Sequence, residues 1–212
     1  MQKTTTELTV NFIKEHPDIR NCLKKGLINY SSLAKFIAKE LNIEKKTSKE
    51  AILIAARRFK EKLKDDLKND ELVKKLFLDS HIEIKNKIDV IIFDKMIEFD
   101  IIDDINHMVR KENGTFWIFE GSDNYTSIIQ EKYANFALSK LKRHIIQHHK
   151  SLSLINFKTS RDIENLRGVI AYITSLFAEN GINIIEFFSC WNDTVFVIMS
   201  EDVQKAMEFL RF

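Results

Sequence analysis

The feature that most constrains this chain is an internal repeat in its C-terminal part. Residues 88–147 and residues 151–211 both predict the order strand, helix, strand, strand, helix. In the second copy the segments read SLSLINFKTS, GVIAYITSLFAEN, INIIEFFSC, TVFVIMS and EDVQKAMEFLR. Two successive units of about 60 residues in this order predict tandem ferredoxin-like βαββα modules, in which helices cover one face of an antiparallel sheet.

The second copy leaves no room for a further closing strand before residue 212. Its sheet is therefore expected to be three-stranded, or to be completed by another part of the chain. In the first copy, IEIKNKIDVIIFD predicts a strand or a broken hairpin, and EKYANFALSKLKRHIIQHHK predicts a helix.

The residues before the repeat predict helices throughout. Apolar residues recur at helical spacing up to about position 78, with polar breaks between the segments. The predicted fold class is therefore α+β. We expect a helical, basic, helix-turn-helix-like domain over residues 1–78, a first module over 81–149 and a second module over 150–212.

Charge is distributed unevenly along the chain. The net charge is only +2, yet residues 20–64 hold 13 basic and 4 acidic side chains. A basic segment of this kind is typical of a protein with a polyanionic partner. A solvated, lysine-rich helical surface explains the same charges.

The segment INYSSLAKFIAKELNIEKKTSKEAILIAARRFKEK has the outline of a helix-turn-helix, with a helix, a short break and a second helix. Few base-reading groups lie at the start of the second helix, so phosphate contact is expected rather than sequence readout. The alternative is a four-helix cap that packs on the repeated modules. The candidate DNA-binding residues are Ser48, Lys49, Arg57, Arg58, Lys60 and Lys62.

Two of the five glycines bracket the first helix of the second copy. Gly181 fits a left-handed cap at the end of that helix. Gly168 closes the polar loop RDIENLRG before the helix begins. A glycine there permits positive φ or close backbone approach, and it leaves the N–H groups of a helix start open to a small anion.

Enzymatic and metal-binding functions find little support in the sequence. His144 and His148 would share a helix face, but no third ligand has suitable spacing, and a polar helix end explains them. Cys22 and Cys190 lack metal or redox spacing. No phosphate-binding glycine loop is present, so neither a cofactor nor catalysis is expected. Without an apolar span or signal segment, a cytoplasmic protein is expected.

The second copy resembles the ACT domain, the small-molecule regulatory module of aspartokinases and other enzymes of amino-acid metabolism. The stretches SLSLINF, GVIAYITSLFAENGINIIEF and DTVFVIMSEDVQKAMEFL carry the resemblance. Arg167 stands where the family typically has proline, and the corresponding stretch of the first copy, KMIEFDIIDDI, has no glycine. The resemblance implies an amino-acid ligand near Asp162, Asn165, Leu166, Arg167, Gly168, Val169, Ile170, Asn183 and Ile185.

A basic helical part before ACT-like modules is also similar to archaeal proteins described as ACT-containing regulators of amino-acid metabolism. The resemblance implies a homodimer that senses an amino acid and binds double-stranded DNA. A regulatory or assembly subunit of an amino-acid-metabolism enzyme, without nucleic acid, is the alternative. A ligand-free structural oligomer is a third possibility.

Overall fold

The computed structural model describes residues 3–210. The chain divides into two compact units, Met1–Val73 and Lys74–Phe212. The first unit is helical, and its last helix runs on into the second unit. Its helices are α1 (Thr5–Glu15), α2 (Pro17–Lys25), α3 (Tyr30–Glu40), α4 (Lys49–Lys62) and α5 (Lys64–Leu78).

The core of the first unit forms where the apolar stripes of its helices meet. Ile13 of α1, Leu23 of α2, Ile37 of α3 and Ile52 of α4 are completely buried and belong to one cluster. Removing the apolar surface of such side chains from water stabilises the unit by roughly 1.5–3 kcal/mol for each one.

The second unit contains one antiparallel sheet of six strands in the order β2-β3-β1-β4-β6-β5. This arrangement confirms the predicted α+β class. The first repeat consists of β1 (His81–Asp94), α6 (Phe99–Lys111), β2 (Phe116–Glu120), β3 (Asn124–Gln130) and α7 (Glu131–Leu141). The second consists of β4 (Ile145–Lys158), α8 (Val169–Glu179), β5 (Ile184–Cys190), β6 (Asp193–Met199) and α9 (Val203–Phe209).

The first strands of the two repeats, β1 and β4, pair with each other and join two three-stranded halves into one sheet. Positions 81 and 145 begin these strands and positions 94 and 158 end them, so equivalent residues lie 64 positions apart. Lys87 and Ser151 are such a pair, and both adopt positive φ, 59° and 57°. The pairing register shifts around Lys87, and such irregularities bend a strand and increase its twist.

The helices of both repeats pack on the outer face of the sheet. In the first repeat Phe93 of β1 and Tyr133 of α7 belong to one buried cluster. In the second repeat the ring of Phe196 on β6 lies 6.0 Å from that of Phe157 on β4 and 5.0 Å from that of Phe177 on α8. Directly opposed residues of neighbouring strands point to the same side, so the register assigns the strand residues among these rings to the outer face, where the rings of the helices meet them.

The opposite, inner face of the sheet encloses a second apolar cluster because the sheet curls. β2 and β5 are the two edges of the sheet, yet the ring of Phe188 on β5 lies 5.1 Å from Trp117 and 4.7 Å from Phe119, both on β2. Aromatic pairs at such distances contribute about 0.5–1.5 kcal/mol beyond burial. The buried members of the inner cluster are Ile88, Val90, Ile128, Leu152, Leu154, Val195 and Val197.

The helix predicted over residues 131–150 is too long. α7 ends at Leu141, Lys142 turns the chain with φ 40° and ψ −113°, and β4 begins at Ile145. Residues 145–149 are held extended by pairing with β1, where His149 lies opposite Val90. This long-range pairing overrides a local apolar spacing that is compatible with a helix. β1 itself is one continuous strand rather than a broken hairpin.

Candidate functional site

The polar loop of the second repeat lies between β4 and α8. A short 3-10 turn, Arg161–Asn165, follows β4, and Gly168 then occupies the N-cap position of α8 with φ 80° and ψ 10°. This left-handed conformation is the one that favours glycine. Within residues 3–210, α8 receives no side-chain cap at this end. The N–H groups of its first turn therefore face the loop without a capping side chain.

The base of this loop is tied to the turn between β5 and β6. The backbone N–H of Thr159 donates to the carbonyl of Asn192 over 2.9 Å. The guanidinium carbon of Arg161 lies 4.5 Å from the ring centroid of Trp191. Ser160 donates its hydroxyl to the carboxylate of Asp162 over 3.1 Å and accepts from the backbone N–H of that residue. These contacts fix the start of the loop.

The structure brings together seven of the nine positions that the ACT resemblance implies. They are Asp162, Asn165, Leu166, Arg167, Gly168, Val169 and Ile170, which follow one another through the loop into α8. Val169 is buried beneath the helix, and Asp162, Asn165 and Arg167 are exposed. Asn183 is exposed just before β5, whereas Ile185 packs against the inner cluster, on the side of the sheet opposite α8.

The predicted DNA-binding residues lie on or beside α4. Lys49, Arg58 and Lys62 are exposed. The hydroxyl of Ser48 accepts from the backbone N–H of Ala51 over 3.2 Å, so it is engaged in the helix cap.

Of the other two predicted DNA-binding residues, Lys60 is half-buried. Arg57 is exposed, and its guanidinium carbon lies 5.3 Å from the ring centroid of Tyr30. The connection between α3 and α4, residues 41–48, is longer than the turn of about three to four residues in a helix-turn-helix. That motif is therefore not confirmed.

The histidines of residues 144–149 lie on a strand and not on a helix. His148 Nε2 lies 2.7 Å from Oδ2 of Asp89, which is 3% exposed, and His144 Nδ1 lies 2.9 Å from Oδ1 of Asp94. The hydrogen bond with His144 holds the pKa of the Asp94 carboxyl below its ordinary value of 3.8. The interpretation of these histidines as a polar helix end is therefore wrong. Across the described residues, no three His, Cys, Asp or Glu side chains group as metal ligands would.

A cavity of about 260 Å³ opens at one end of the inner face, beside the contact between the two sheet edges. We call it the end cavity. It is lined by residues of both repeats: Glu83, Lys85, Trp117, Leu154, Asn156, Lys158, Phe188, Cys190, Asp193 and Val195. An apolar wall with a few converging polar groups is typical of a small-molecule site.

Asn156 is the most deeply buried polar residue of the end cavity, at 7% exposure. Its Nδ2 donates to Oδ1 of Asp193 over 2.7 Å, and its Oδ1 has no hydrogen-bond partner among residues 3–210. A buried acceptor without a donor destabilises a protein by about 1–3 kcal/mol. Such a group in a cavity wall therefore favours a ligand that can donate to it.

The end cavity was missed by sequence reasoning because its residues are brought together by register and curl. A weak signal exists in β1, where the polar Glu83 and Lys85 alternate with isoleucines before the strand becomes apolar throughout. The sequence does not show that β4 lies beside them, or that Trp117 on the far edge curls over to meet Phe188.

Burial also affects an acidic group elsewhere on β5. Glu186 lies opposite Val197, a member of the inner cluster. Desolvation raises the pKa of the Glu186 carboxyl above its ordinary value of 4.5, and the nearby charge of His149 acts in the opposite direction. This end of the inner face lies away from the residues of the end cavity.

No protein-family model and no curated protein matches the sequence. Solved structures do match. The aspartate kinase of Clostridium acetobutylicum is 15% identical, with a TM-score of 0.52 over 61% of this chain and 33% of that enzyme. The regulatory subunit of aspartate kinase from Thermus thermophilus is 12% identical, with a TM-score of 0.49 over 62% of this chain and 94% of that subunit.

This chain therefore spans about one third of the Clostridium enzyme that it matches. The likeness concerns the fold: the matched third of the Clostridium enzyme shares the curled antiparallel sheet and its helices with this chain. In the part of the chain that the structure describes, no helix is both long enough and apolar enough to cross a membrane.

Proposed function

We propose that this protein is a non-catalytic regulatory chain that binds an amino acid at the loop of its second repeat. The observation that carries the proposal is the exposed loop ending in Gly168, next to the uncapped start of α8. Main-chain N–H groups at a helix start suit a carboxylate. The exposed Asp162 or Asn165 suits an ammonium group. The fold shared with an aspartate kinase, an enzyme described as allosteric, supports the same function.

The regulated partner of this chain is, in our proposal, an enzyme of amino-acid metabolism. The repeats form the sensing module, over residues 81–149 and 150–212, and residues 1–78 form the docking domain. This role fits a fold found as one part of a larger aspartate kinase. We further propose a homodimer, because regulatory modules of this kind pair through symmetric surfaces. Sedimentation of the purified chain at several concentrations tests the dimer.

A thermal-shift scan against the twenty amino acids tests the sensing function. A ligand present at about 100 times its dissociation constant stabilises the folded state by about 2.7 kcal/mol, which is readily seen. Gly168→Ala is expected to abolish the shift, since it introduces a side chain at φ 80° in the loop.

Gly181→Ala is the matched control for this experiment. It also introduces a methyl group at positive φ in the second repeat, with Lys205 Nζ at 3.7 Å, but outside the loop. The control variant is expected to keep the ligand shift. No shift of the unsubstituted protein with any amino acid would leave the repeats as an assembly scaffold.

Regulation of transcription is a second candidate function, favoured by the exposed basic residues of α4. Arg58 and Lys62 are placed where they could contact phosphates of duplex DNA. Binding through phosphates weakens steeply with salt, so affinity for a random-sequence duplex should fall at least about tenfold between 50 mM and 200 mM salt. Arg58→Glu combined with Lys62→Glu should remove this binding. Weak binding that neither salt nor the double substitution changes would exclude this candidate.

A further inference from the structure

We propose that the end cavity is a second small-molecule site, which takes a zwitterion carrying an apolar side chain. The proposal concerns residues separate from the loop of the second repeat and stands whether or not that loop binds a ligand. Three properties of the end cavity carry it: its size, the unsatisfied acceptor in its wall, and the presence of both signs of charge around an apolar interior.

The strand register brings the polar and apolar parts of the end cavity side by side. Asn156 on β4 lies opposite Glu83 on β1 on one side and opposite Val195 on β6 on the other. Val195 in turn lies opposite Phe188 on β5. Directly opposed residues point to the same face, so these four side chains form one row across the inner face.

The neighbouring row of residues places opposite charges at the rim. Lys158 on β4 lies opposite Asp193 on β6, and Asp193 lies opposite Cys190 on β5. Four of the five strands that line the end cavity therefore contribute these residues at fixed register.

The polar end of the cavity wall, at Asn156 and Asp193, suits an ammonium group. The amide of Asn156 is oriented by its donation to Asp193 over 2.7 Å, because the reversed orientation would set an oxygen against a carboxylate. Its Oδ1 is left as a buried acceptor without a partner among the described residues, on a side chain that lines the end cavity. Within the described chain Asp193 has no cationic partner within 4.0 Å. The Oδ1 of Asn156 and the carboxylate of Asp193 are thus two acceptors that an ammonium group of a ligand could donate to.

A carboxylate group fits at the lysines of the rim. The ammonium nitrogens of Lys85 and Lys158 lie 3.6 Å and 3.5 Å from the carboxylate of Glu83, which is longer than a good hydrogen bond. Both lysines are partly exposed and can turn towards an incoming anionic group. A purely anionic ligand is disfavoured because Glu83 and Asp193 would repel it, and a purely cationic one is disfavoured by the lysines.

The interior of the end cavity fits an apolar side chain. Leu154 and Val195 form its buried floor, and the contacting rings of Trp117 and Phe188 form its wall. An apolar cavity of about 150 Å³ admits benzene, so about 260 Å³ holds a side chain of that size together with its polar head. Because the two rings belong to different repeats, a bound ligand would also hold the edges of the sheet together.

Fluorescence titration with L-leucine and L-phenylalanine tests the proposal. The chain has two tryptophans, so the Trp191→Phe variant leaves Trp117 as a reporter inside the end cavity. We expect a saturable change in Trp117 emission with at least one of the two amino acids. Leucine amide, which lacks the carboxylate, and 4-methylpentanoate, which lacks the ammonium group, should bind at least about tenfold more weakly.

Asp193→Asn is the decisive variant, since it keeps the shape of the side chain and removes its charge. It should weaken binding at least about tenfold, while Gly168→Ala should leave the Trp117 titration unchanged. The proposal is overturned if neither amino acid changes the emission, if the amide and the acid bind as well as leucine, or if Asp193→Asn binds normally. An amino acid bound at the loop should lose its thermal shift in Gly168→Ala, whereas leucine or phenylalanine bound in the end cavity should keep both its thermal shift and the Trp117 titration in that variant.

Discussion

The two repeats share a backbone plan but differ in the polar groups that they bury. Positions 64 residues apart in β1 and β4 are equivalent, so Gln147 is the counterpart of Glu83 and Ile92 is the counterpart of Asn156. The register confirms this, because Glu83 lies opposite Asn156 and their counterparts Gln147 and Ile92 also lie opposite each other. Asn156 in the end cavity thus has an isoleucine as its counterpart. The shared plan is set by apolar alternation and pairing, whereas the polar substitutions make the two ends of the sheet different.

A second pair of equivalent positions shows the same divergence on the outer face. Asp89 in β1 is paired with His148, while its counterpart Ser153 in β4 donates to Asn86 over 2.8 Å and lies 2.9 Å from the hydroxyl of Ser200. A carboxyl–imidazole pair and a network of hydroxyl and amide groups thus occupy matching places. Substitution of each one measures what this difference contributes to stability.

The largest effect is expected at the pair of Asp89 and His148. Asp89→Ala should lower the free energy of unfolding by about 3 kcal/mol, because it leaves the His148 ring, which is 14% exposed, without its partner. Ser153→Ala should lower it by only about 1 kcal/mol, since it removes neutral hydrogen bonds. Urea unfolding followed by tryptophan fluorescence measures both, as both tryptophans lie in the second unit.

The double variant Asp89→Ala with His148→Ala serves as the control for the Asp89–His148 pair. It should recover part of the stability lost in Asp89→Ala, because no buried ring is then left unpaired. Equal losses at Asp89 and Ser153 would mean that the charge of the pair contributes nothing beyond an ordinary hydrogen bond.

The glycines that follow the first helix of each repeat serve different purposes. Gly114 lies between α6 and β2, where a Cβ atom would come within 2.4 Å of the Tyr133 ring and 2.6 Å of Val109. Gly181 lies between α8 and β5, where a Cβ atom meets Lys205 Nζ at an ordinary 3.7 Å but the backbone has φ 64°. Space therefore requires the first glycine, and backbone conformation requires the second.

Substitution of the two glycines by alanine should separate these causes. Gly114→Ala should destabilise by about 2–3 kcal/mol through overpacking, and Gly181→Ala by about 1–2 kcal/mol through left-handed strain. The companion substitution Tyr133→Leu should relieve part of the first loss and none of the second, as measured by urea unfolding of the paired variants. Relief at both positions would contradict the distinction.

The repeat was predictable from sequence because its signals are local. Short stretches rich in β-branched and aromatic residues mark β2, β3 and β6, and glycines mark helix ends, so the α+β class follows from residues close together in the chain. The stretch from Ile145 to His149 was assigned to a helix because its apolar spacing fits both structures. Its pairing with β1, more than fifty positions earlier, decides the outcome.

The two candidate sites differ in the same respect, because one is built from neighbouring residues and the other from distant ones. Gly168 and the polar loop before it are adjacent in sequence, so a glycine before an apolar helix was enough to place them. The end cavity draws on five strands that span residues 83 to 195. Its acceptor, Asn156, lies within an apolar strand and carries no local signal, because only the register sets it beside Asp193.

The smallest predicted effect concerns Glu186, whose counterpart in the first repeat is Trp117. Glu186 lies opposite Val197 on β6 as Trp117 lies opposite Ile128 on β3. Burial raises the pKa of the Glu186 carboxyl above 4.5 in the folded chain. The folded state therefore holds this proton to a higher pH than the unfolded state does. Stability contributed by the protonated group is complete below pH 4.5 and is lost as pH rises through the folded pKa.

Glu186→Gln should thus be more stable than the unsubstituted protein at pH 7 and nearly equal to it at pH 4. The gain should be about 0.5 kcal/mol or less, because the carboxyl keeps contact with water and its interactions are screened. Urea unfolding at the two pH values measures it, with Glu179→Gln, a substitution of an exposed carboxyl at the end of α8, as the control. A gain of equal size at both pH values would mean that the amide improves packing, and that desolvation of the charge is not the cause. A gain confined to pH 7 would show that desolvation of the Glu186 carboxylate lowers the stability of the second repeat, at the position where the first repeat has an aromatic ring.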